Sequence, residues 1–224
     1  MFNLVIDAGH GGKDSGACGN NLKEKDIVLS IVKKLKERLS PYKKEINLKL
    51  TRETDIFLEL SERATISNNF KADLFVSIHC NSAENKTAQG VETYCYKLSN
   101  NKGAKLIHEE IIKKGVYTKD RKVKEANFYV LRNTNAHAVL VETAFISNEE
   151  DAKILKSKQD DLVEAILRGI LKYFGIKYQE VSSKPTEGKL WRVCIGTFGN
   201  IENAKKIQQE AINKGFKDAF IVEK

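Results

Sequence analysis

Short apolar runs alternate with amphipathic stretches from the N-terminus to Phe174. The apolar runs predict buried β-strands at Leu4–Ile6, Ile46–Thr51, Leu74–Ile78, Gly90–Tyr96, Phe128–Leu131 and Ala138–Val141. Apolar residues at helical spacing predict helices from about Glu24 to Pro41 and over Leu58–Asn69, Gly103–Lys114, Glu149–Lys156 and Gln159–Phe174. The polar segments Lys13–Lys23 and Gly115–Asn127 are predicted as loops. This alternation predicts an α/β fold, with a mostly parallel sheet and helices on both faces.

The periodic spacing of apolar residues is lost after Gly175. A linker is indicated there by Ser182, Ser183, Pro185 and Gly188. We therefore expect three parts, namely a domain at 1–175, a linker at 176–188 and a small unit at 189–224. The last part is predicted as a β-α-β unit with strand Trp191–Phe198, helix Ile201–Lys214 and strand Ala219–Val222. A unit of about 36 residues is too small to close a core alone.

The chain is basic, with 38 Lys and Arg against 30 Asp and Glu, a formal charge of +8 and a pI near 9.1. This balance favours an anionic partner such as nucleic acid or a polyanionic cell wall. The lysines are scattered along the chain, which is equally typical of a basic protein without such a partner. No apolar run approaches the roughly 18 residues that cross a bilayer. We also expect synthesis in the cytoplasm without a signal peptide.

Four cysteines are widely spaced, at Cys18, Cys80, Cys95 and Cys194. No C-x-x-C pair occurs, so a structural zinc knuckle is not predicted. Cys80 and Cys95 lie in or beside apolar strands and are expected to be buried thiols. Such cysteines fit a reducing compartment at synthesis.

Three of the predicted strands are followed directly by a side chain that can bind a metal or move a proton. His10 follows the first strand within a glycine-rich turn, His79 follows Leu74–Ile78, and Glu142 follows Ala138–Val141. In open α/β sheets the active site lies at the carboxyl ends of the strands. If these strands are parallel neighbours, we expect the three side chains to converge.

The histidines supply two ligands of the kind that zinc prefers, and catalytic zinc sites use three protein ligands. A carboxylate is the expected third, because His108 is predicted to be a solvated helix residue and His137 to lie at the opposite end of its strand. Glu24 begins the first helix and could fold back beside His10. It could equally serve only as a favourable charge at the helix N-terminus. Glu142 would then be left as general base.

Several motifs together resemble one family. They are Val5–Gly12, Glu24, Thr51-Arg52 with Asp55 and Arg63, Ser77–Asn81, Gly90–Tyr94 and Val141–Asn148. Over about residues 2–174 the chain resembles the zinc-dependent N-acetylmuramoyl-L-alanine amidases of the AmiC/CwlV type.

The resemblance implies a Zn²⁺ ion bound by His10, Glu24 and His79, with Glu142 as catalytic acid and base. It also implies hydrolysis of the amide that joins the lactyl group of muramic acid to L-alanine in peptidoglycan. Asn81 could orient the substrate or hold its loop, and we favour the loop. We expect Arg52 to form a structural pair with Asp55 rather than to meet a peptide carboxylate.

The C-terminal segment resembles one half of a SPOR domain, a domain that binds the glycan strands of peptidoglycan. The resemblance is carried by Arg192–Phe198, Asn203-Ala204, Gly215 and Ala219–Val222. A single repeat leaves strand edges unpaired. We expect two chains to pair through this unit as a homodimer. The alternative is that the unit docks on its own catalytic domain.

Other classes of function compete with this hypothesis. The glycines around His10 do not form the G-x-G-x-x-G pattern of a nucleotide site. A hydrolase built on Cys80 is disfavoured, because Cys80 and His79 would point to opposite faces of a strand. A non-catalytic cell-wall-binding protein is the remaining alternative. The expected partner is peptidoglycan, through glycan and stem peptide, and neither nucleic acid nor membrane. A phage endolysin released through a holin and an autolysin released by cell lysis both fit.

Overall fold

The computed structural model describes residues 1–100, 102–117, 119–180, 194, 196–216 and 219–223. These residues belong to two compact units, Met1–Tyr178 and Gln179–Lys224. The first unit contains every residue of the predicted site. Among the described residues, no helix is both long and apolar enough to cross a membrane.

A six-stranded sheet forms the centre of the first unit. Its strands are β1 (Phe2–Ala8), β4 (Ile46–Leu50), β5 (Leu74–Asn81), β6 (Val91–Cys95), β7 (Asp120–Glu125) and β8 (His137–Phe145). Their order is β4-β1-β5-β8-β6-β7, and only the β6–β8 pair is antiparallel. A separate small hairpin joins β2 (Cys18–Gly19) to β3 (Leu22–Lys23). The predicted α/β class with a mostly parallel sheet is confirmed.

Helices cover both faces of this sheet. They are α1 (Glu24–Leu39), α2 (Leu60–Asn69), α3 (Lys102–Lys113), α4 (Tyr129–Arg132), α5 (Glu149–Ser157) and α6 (Gln159–Phe174). Short 3₁₀ turns occur at Ser40–Tyr42 and Leu98–Asn100. Alternate residues of β1 enter different cores, because successive strand side chains point to opposite faces. Leu4 and Ile6 pack in the larger core with α1, α3 and α6, whereas Val5 packs in the smaller core with α4.

Three secondary-structure predictions for the first unit are wrong, and one is the loop Lys13–Lys23, which contains the hairpin of β2 and β3. Asp120–Glu125, predicted as part of a loop, is the edge strand β7. Its sequence D-R-K-V-K-E has one apolar residue, and charged edge strands of this kind carry no hydrophobic signal. Phe128–Leu131, predicted as a strand, instead leads into the helix α4. A helix of four residues is too short to show a helical period.

The strands that carry the site run further than their apolar stretches. β5 continues through His79 to Asn81, and β8 continues through Glu142 to Phe145. His79 and Glu142 therefore lie within strands and not beyond their ends, which corrects the sequence interpretation. The two residues are direct partners in the parallel β5–β8 register. This pairing places their side chains on the same face of the sheet, next to each other.

The second unit contains helix α7 (Ile201–Asn213), which confirms the helix predicted there. Asn200 caps this helix by accepting a hydrogen bond from the backbone N–H of Glu202 at 2.7 Å. The predicted strand Ala219–Val222 is not found over those residues. Much of the predicted strand Trp191–Phe198, at residues 191–193 and 195, lies outside the described residues, as do residues 181–188 of the linker.

Candidate active site

His10 lies in the turn that follows β1, with its backbone in the left-handed region at φ 58°. Its Nδ1 atom is 2.8 Å from Oδ2 of Asp14, and its Nε2 atom is 3.0 Å from Oε1 of Glu24. The other oxygen of Asp14 accepts the backbone N–H of Gly16 at 2.9 Å, which fixes the carboxylate. When Nδ1–H donates to Asp14, the lone pair of His10 lies on Nε2, the atom that faces Glu24.

Glu24 is the first residue of α1 and is buried. Its carboxylate accepts backbone N–H groups from Ala17 at 2.8 Å and Cys80 at 2.9 Å. These bonds turn the side chain inward, between His10 and His79. Burial opposes ionisation, but the hydrogen bonds with both histidines outweigh it and hold the pKa of Glu24 well below its usual range. Glu24 is therefore an ionised ligand-type group and more than a charge at a helix end.

His79 completes a cluster of three possible metal ligands. Its Nδ1 atom is 3.0 Å from Oε1 of Glu24, and its ring meets that of His10 edge-on at 5.0 Å between centroids. Gly9 makes room for this ring, because a Cβ at that position would lie 2.3 Å from Cε1 of His79. One ligand atom from each of His10, Glu24 and His79 lies within 4.8 Å of the other two. Two imidazole nitrogens and one carboxylate form a donor set that suits catalytic zinc.

Glu142 lies beside this cluster but has no bond to it. Its Oε2 atom is buried and has no hydrogen-bond partner among the described residues. Burial raises the pKa of Glu142 to about 7, and the charges of Glu24 and Glu92 act in the same direction against the opposing effect of His79. For His10, burial is outweighed by the bonds to Glu24 and Asp14, which raise the pKa of its imidazole to about 8. A carboxyl group poised near neutral pH can both accept and donate a proton.

Buried charges behind the site hold the turn that carries His10. Asp7 is fully buried and is 2.8 Å from Nη1 of Arg63. Arg63 also donates to the carbonyl of His10 at 2.8 Å. Arg52 donates to the carbonyls of Ala8 and Gly9, which confirms a structural role. Its predicted partner is wrong, because Asp55 pairs with Lys25 at 2.7 Å.

Asn81 lines the cleft, but other protein groups occupy its amide. The Nδ2 group donates to Glu92, and Oδ1 accepts the backbone N–H of Ser82 at 2.8 Å. Glu92 is buried and also accepts bonds from Tyr94, Arg121 and Lys124. The geometry thus favours the loop-holding interpretation of Asn81. In the sequence, Glu92 is only one residue of the Gly90–Tyr94 motif, and no local pattern indicates that its donors come from three strands.

The remaining histidines lie outside the cluster. His108 is buried, not solvated as predicted, and its ring joins Thr93 at 2.9 Å to Asp120 at 2.8 Å. The acidic neighbours on its helix suggested exposure, whereas the buried contacts come from β6 and β7. His137 begins β8 at the end of the strand opposite Glu142 and contacts Tyr173, as expected for a residue away from the site.

The geometry does not favour Cys80 as a catalytic nucleophile. Its thiol is buried beside Thr143, at 3.4 Å from the hydroxyl, on the face of β5 opposite to His79. Burial raises the pKa of the Cys80 thiol well above its usual value, which leaves too little thiolate for attack. Cys95 is buried as well, as predicted, whereas Cys18 and Cys194 are exposed.

An open cleft of about 530 Å³ exposes the cluster to solvent. His10, Glu24, His79 and Glu142 lie on its polar side. Its apolar side is built by two segments, Phe57–Leu60 before and into α2 and Phe128–Val130 at the start of α4. The cleft therefore offers a reaction centre next to a surface for a larger substrate.

Comparison with known proteins decides the family. The profile of the Amidase_3 family, described as N-acetylmuramoyl-L-alanine amidase, matches residues 4–172. The chain belongs to this family. The amidase is 43% identical over 211 residues to the endolysin of Bacillus phage SPP1, which covers 87% of this chain and 77% of the endolysin. It is 35% identical over 221 residues to the sporulation-specific N-acetylmuramoyl-L-alanine amidase of Bacillus subtilis (strain 168), across 96% of this chain and 83% of that one.

Solved structures agree with this assignment. The catalytic domain of CwlV, an N-acetylmuramoyl-L-alanine amidase from Bacillus (Paenibacillus) polymyxa var. colistinus, superposes with a TM-score of 0.75 at 36% identity. That match covers 79% of this chain and all of the CwlV domain. AmiC2 of Nostoc punctiforme gives a TM-score of 0.73 at 40% identity, over 78% of this chain and 97% of AmiC2. The chain is thus a peptidoglycan hydrolase that cleaves the amide between N-acetylmuramic acid and L-alanine.

Proposed function

We propose that the amidase binds one Zn²⁺ through His10, Glu24 and His79 and uses Glu142 as its catalytic acid and base. The observation that carries this proposal is the convergence of three ligand atoms within 4.8 Å, beside a buried carboxyl oxygen that has no partner among the described residues. When bound, zinc supplies a Lewis acid for the amide carbonyl and lowers the pKa of water toward about 7.

Glu142 moves the proton. Its carboxylate accepts a proton from the attacking water as the water oxygen bonds to the carbonyl carbon of the lactyl group. The carbon–nitrogen bond to L-alanine then breaks, and Glu142 returns the proton to the leaving nitrogen. A group whose pKa is near 7 serves both directions at neutral pH. Asn81 supports this machinery by holding Glu92 and its own loop, and the proposal gives it no direct bond to the substrate.

Digestion of defined peptidoglycan tests the reaction. Wild type should release new L-alanine amino termini, read by mass analysis, without new reducing sugars. Glu142→Gln keeps the size of the side chain but cannot accept the proton, so we expect a loss of about 10²- to 10⁴-fold in rate. New reducing sugars would indicate a glycosidase, and an unimpaired Glu142→Gln variant would remove Glu142 from the mechanism.

The C-terminal unit is proposed to bind wall glycan as a half SPOR-like unit, with the catalytic domain at 1–175, the linker at 176–188 and the unit at 189–224. Support comes from the match with the sporulation-specific amidase, which covers 96% of the chain and so extends beyond the catalytic family region. We further propose that two chains pair through this unit. Light scattering of the whole chain at micromolar concentration should give a dimer mass, and a monomer mass would contradict pairing.

The biological setting is proposed from the relatives. One is named an endolysin and another a sporulation-specific amidase, so the enzyme acts on the wall after a phage holin or lysis of the cell gives it access. Expression in a bacterium whose wall it digests should cause lysis only when a holin is co-expressed. Lysis without a holin would contradict this route of release.

A further inference from the structure

The apolar side of the active-site cleft presents two aromatic rings to solvent. Phe128 is 41% exposed and Tyr129 is 37% exposed, and both line the cleft that contains His79 and Glu142. Exposed apolar surface gathered in a groove is typical of a ligand-binding surface. The reaction described above uses neither ring.

Both rings have partners within the protein, and for Tyr129 the partner is the guanidinium of Arg132, which lies 5.8 Å from the ring centroid. Phe128 meets Tyr94 edge-on, with 5.2 Å between ring centroids and 68° between planes. The hydroxyl of Tyr94 donates at 2.9 Å to the buried carboxylate of Glu92. Next to the two rings, Val130 and Leu131 are buried in the smaller core and anchor α4 to the sheet. The rings therefore form a preorganised surface, and binding to it requires little additional ordering.

The chemistry of this surface indicates which part of the substrate it contacts. Peptidoglycan brings a neutral sugar and a stem peptide with ionised carboxylates to the scissile amide. The segment 128–130 contributes no charged side chain to the cleft. The carboxylate of Glu59, which also lines the cleft, is engaged in the capping box of α2. A pyranose ring has flat C–H faces that pack on aromatic rings, and its hydroxyl groups lie around the edge.

We infer that Phe128 and Tyr129 form a stacking surface for the pyranose ring of the N-acetylmuramic acid whose lactyl amide is cleaved. The inference rests on the proposed function, because it requires that this sugar lie beside Glu142. The surface orients the sugar and thereby carries the lactyl carbonyl toward the cluster of His10, Glu24 and His79. It selects for a closed sugar ring and not for the peptide.

Opening the sugar ring tests this assignment. Borohydride reduction converts the terminal N-acetylmuramic acid of a disaccharide-peptide to its open-chain alditol and leaves the lactyl-peptide amide intact. Hydrolysis of the closed and the reduced substrate is compared in wild type, Phe128→Leu and Tyr129→Leu. Leucine keeps apolar cover over Tyr94 and the core but removes the flat ring. Tyr96→Leu is the matched control, because Tyr96 is 40% exposed but does not line the cleft.

We expect wild type to lose about three- to tenfold in kcat/KM on the reduced substrate, mainly through KM. Phe128→Leu and Tyr129→Leu should show a similar loss on the closed substrate and little further loss when the ring is opened. Tyr96→Leu should behave as wild type. Equal losses on both substrates would assign the rings to the peptide or lactyl group and overturn the inference, as would variants without any loss. If the proposed role of Glu142 fails, Glu142→Gln cleaves intact peptidoglycan at the wild-type rate, whereas failure of this inference alone leaves that variant impaired.

Discussion

Asp14 is the residue that decides which nitrogen of His10 faces Glu24. It accepts from Nδ1 at 2.8 Å and is itself fixed by the N–H of Gly16. Carboxylates that hydrogen-bond to metal-binding histidines typically contribute about 10- to 100-fold to metal affinity. The role was not visible in the sequence, because Asp14 and His10 are joined by a left-handed turn and not by a regular element with a known period.

Replacing Asp14 by alanine should therefore weaken zinc binding by about 10- to 100-fold without unfolding the chain. Competition with a chromophoric chelator measures the zinc affinity. Asp55→Ala is the matched control, since Asp55 also accepts a backbone N–H, from Gly12 at 2.7 Å, but contacts none of the three ligands. Equal zinc affinities in the two variants would show that Asp14 does not orient His10.

Asp7 makes the fold sensitive to acid. Burial favours its neutral form, but the guanidinium of Arg63 and the hydroxyls of Ser77 and Thr51 outweigh burial and hold the pKa of Asp7 below its usual value. A carboxyl group with a lowered pKa in the folded state stabilises the fold above its unfolded pKa. That stabilisation is lost as the pH falls through the folded pKa.

Asp7→Asn should reduce the free energy of unfolding at pH 7 by about 3–5 kcal/mol, because Arg63 keeps a buried charge without a counter-ion. Its melting temperature should also fall less steeply below about pH 4 than that of wild type. Thermal unfolding between pH 3 and pH 7 measures both effects. Asp160→Asn, at an exposed surface pair with Lys34, should change little. If the melting temperature of Asp7→Asn fell as steeply with decreasing pH as that of wild type, Asp7 would not be the source of the acid sensitivity.

At the scale of elements, the loop between β1 and β2 wraps around the ligand cluster, and Gly16 leaves the space for it. A Cβ on Gly16 would lie 2.6 Å from Oε2 of Glu24 and 2.7 Å from Cδ2 of His10. Gly16 also has a left-handed backbone, at φ 62°. Gly115 has a similar φ of 72°, but a Cβ there would meet nothing within 4 Å.

Comparing alanine substitutions at these two glycines separates the effect of backbone strain from the effect of a steric clash. Gly16→Ala and Gly115→Ala should both destabilise the fold by about 1 kcal/mol through the left-handed backbone. Only Gly16→Ala should also lose zinc, because the ligands must move away from the new methyl group. Zinc content after dialysis, read beside thermal melts, distinguishes the two effects. Full zinc retention by Gly16→Ala would show that the loop can move enough to accommodate the methyl group.

The sequence predicts elements where hydrophobic periodicity is strong. It does not predict elements whose ends depend on pairing between distant strands. Leu74–Ile78 is an apolar run and was found, but β5 continues through His79 to Asn81 because β8 pairs with it. The edge strand β7 and the short helix α4 have no such period. These misses matter for function, because Phe128 and Tyr129 lie where α4 begins.

At the scale of the whole molecule, strand order explains why distant residues could be expected to meet. His10, His79 and Glu142 lie on or just after β1, β5 and β8, which are consecutive in the sheet. A sequence can indicate such a convergence once a parallel sheet is assumed. It could not give the β6–β8 antiparallel pair that sets Glu92 opposite Glu142, because that register depends on long-range pairing.

The second unit is another case in which a local sequence pattern does not predict strand pairing. Ala219–Val222 is apolar enough to predict a strand, yet Ile221 and Val222 are exposed there and no strand is found over these residues. A local hydrophobic pattern does not reveal whether a segment pairs as a strand.

Zinc content of purified protein tests the central claim most directly. Elemental analysis should give about one zinc per chain for wild type and for Glu142→Gln, and close to none for His10→Ala, Glu24→Ala and His79→Ala after dialysis. Exhaustive chelation should abolish hydrolysis by wild type, and added zinc should restore it. Retention of zinc by the three ligand variants, or undiminished hydrolysis after chelation, would contradict the account.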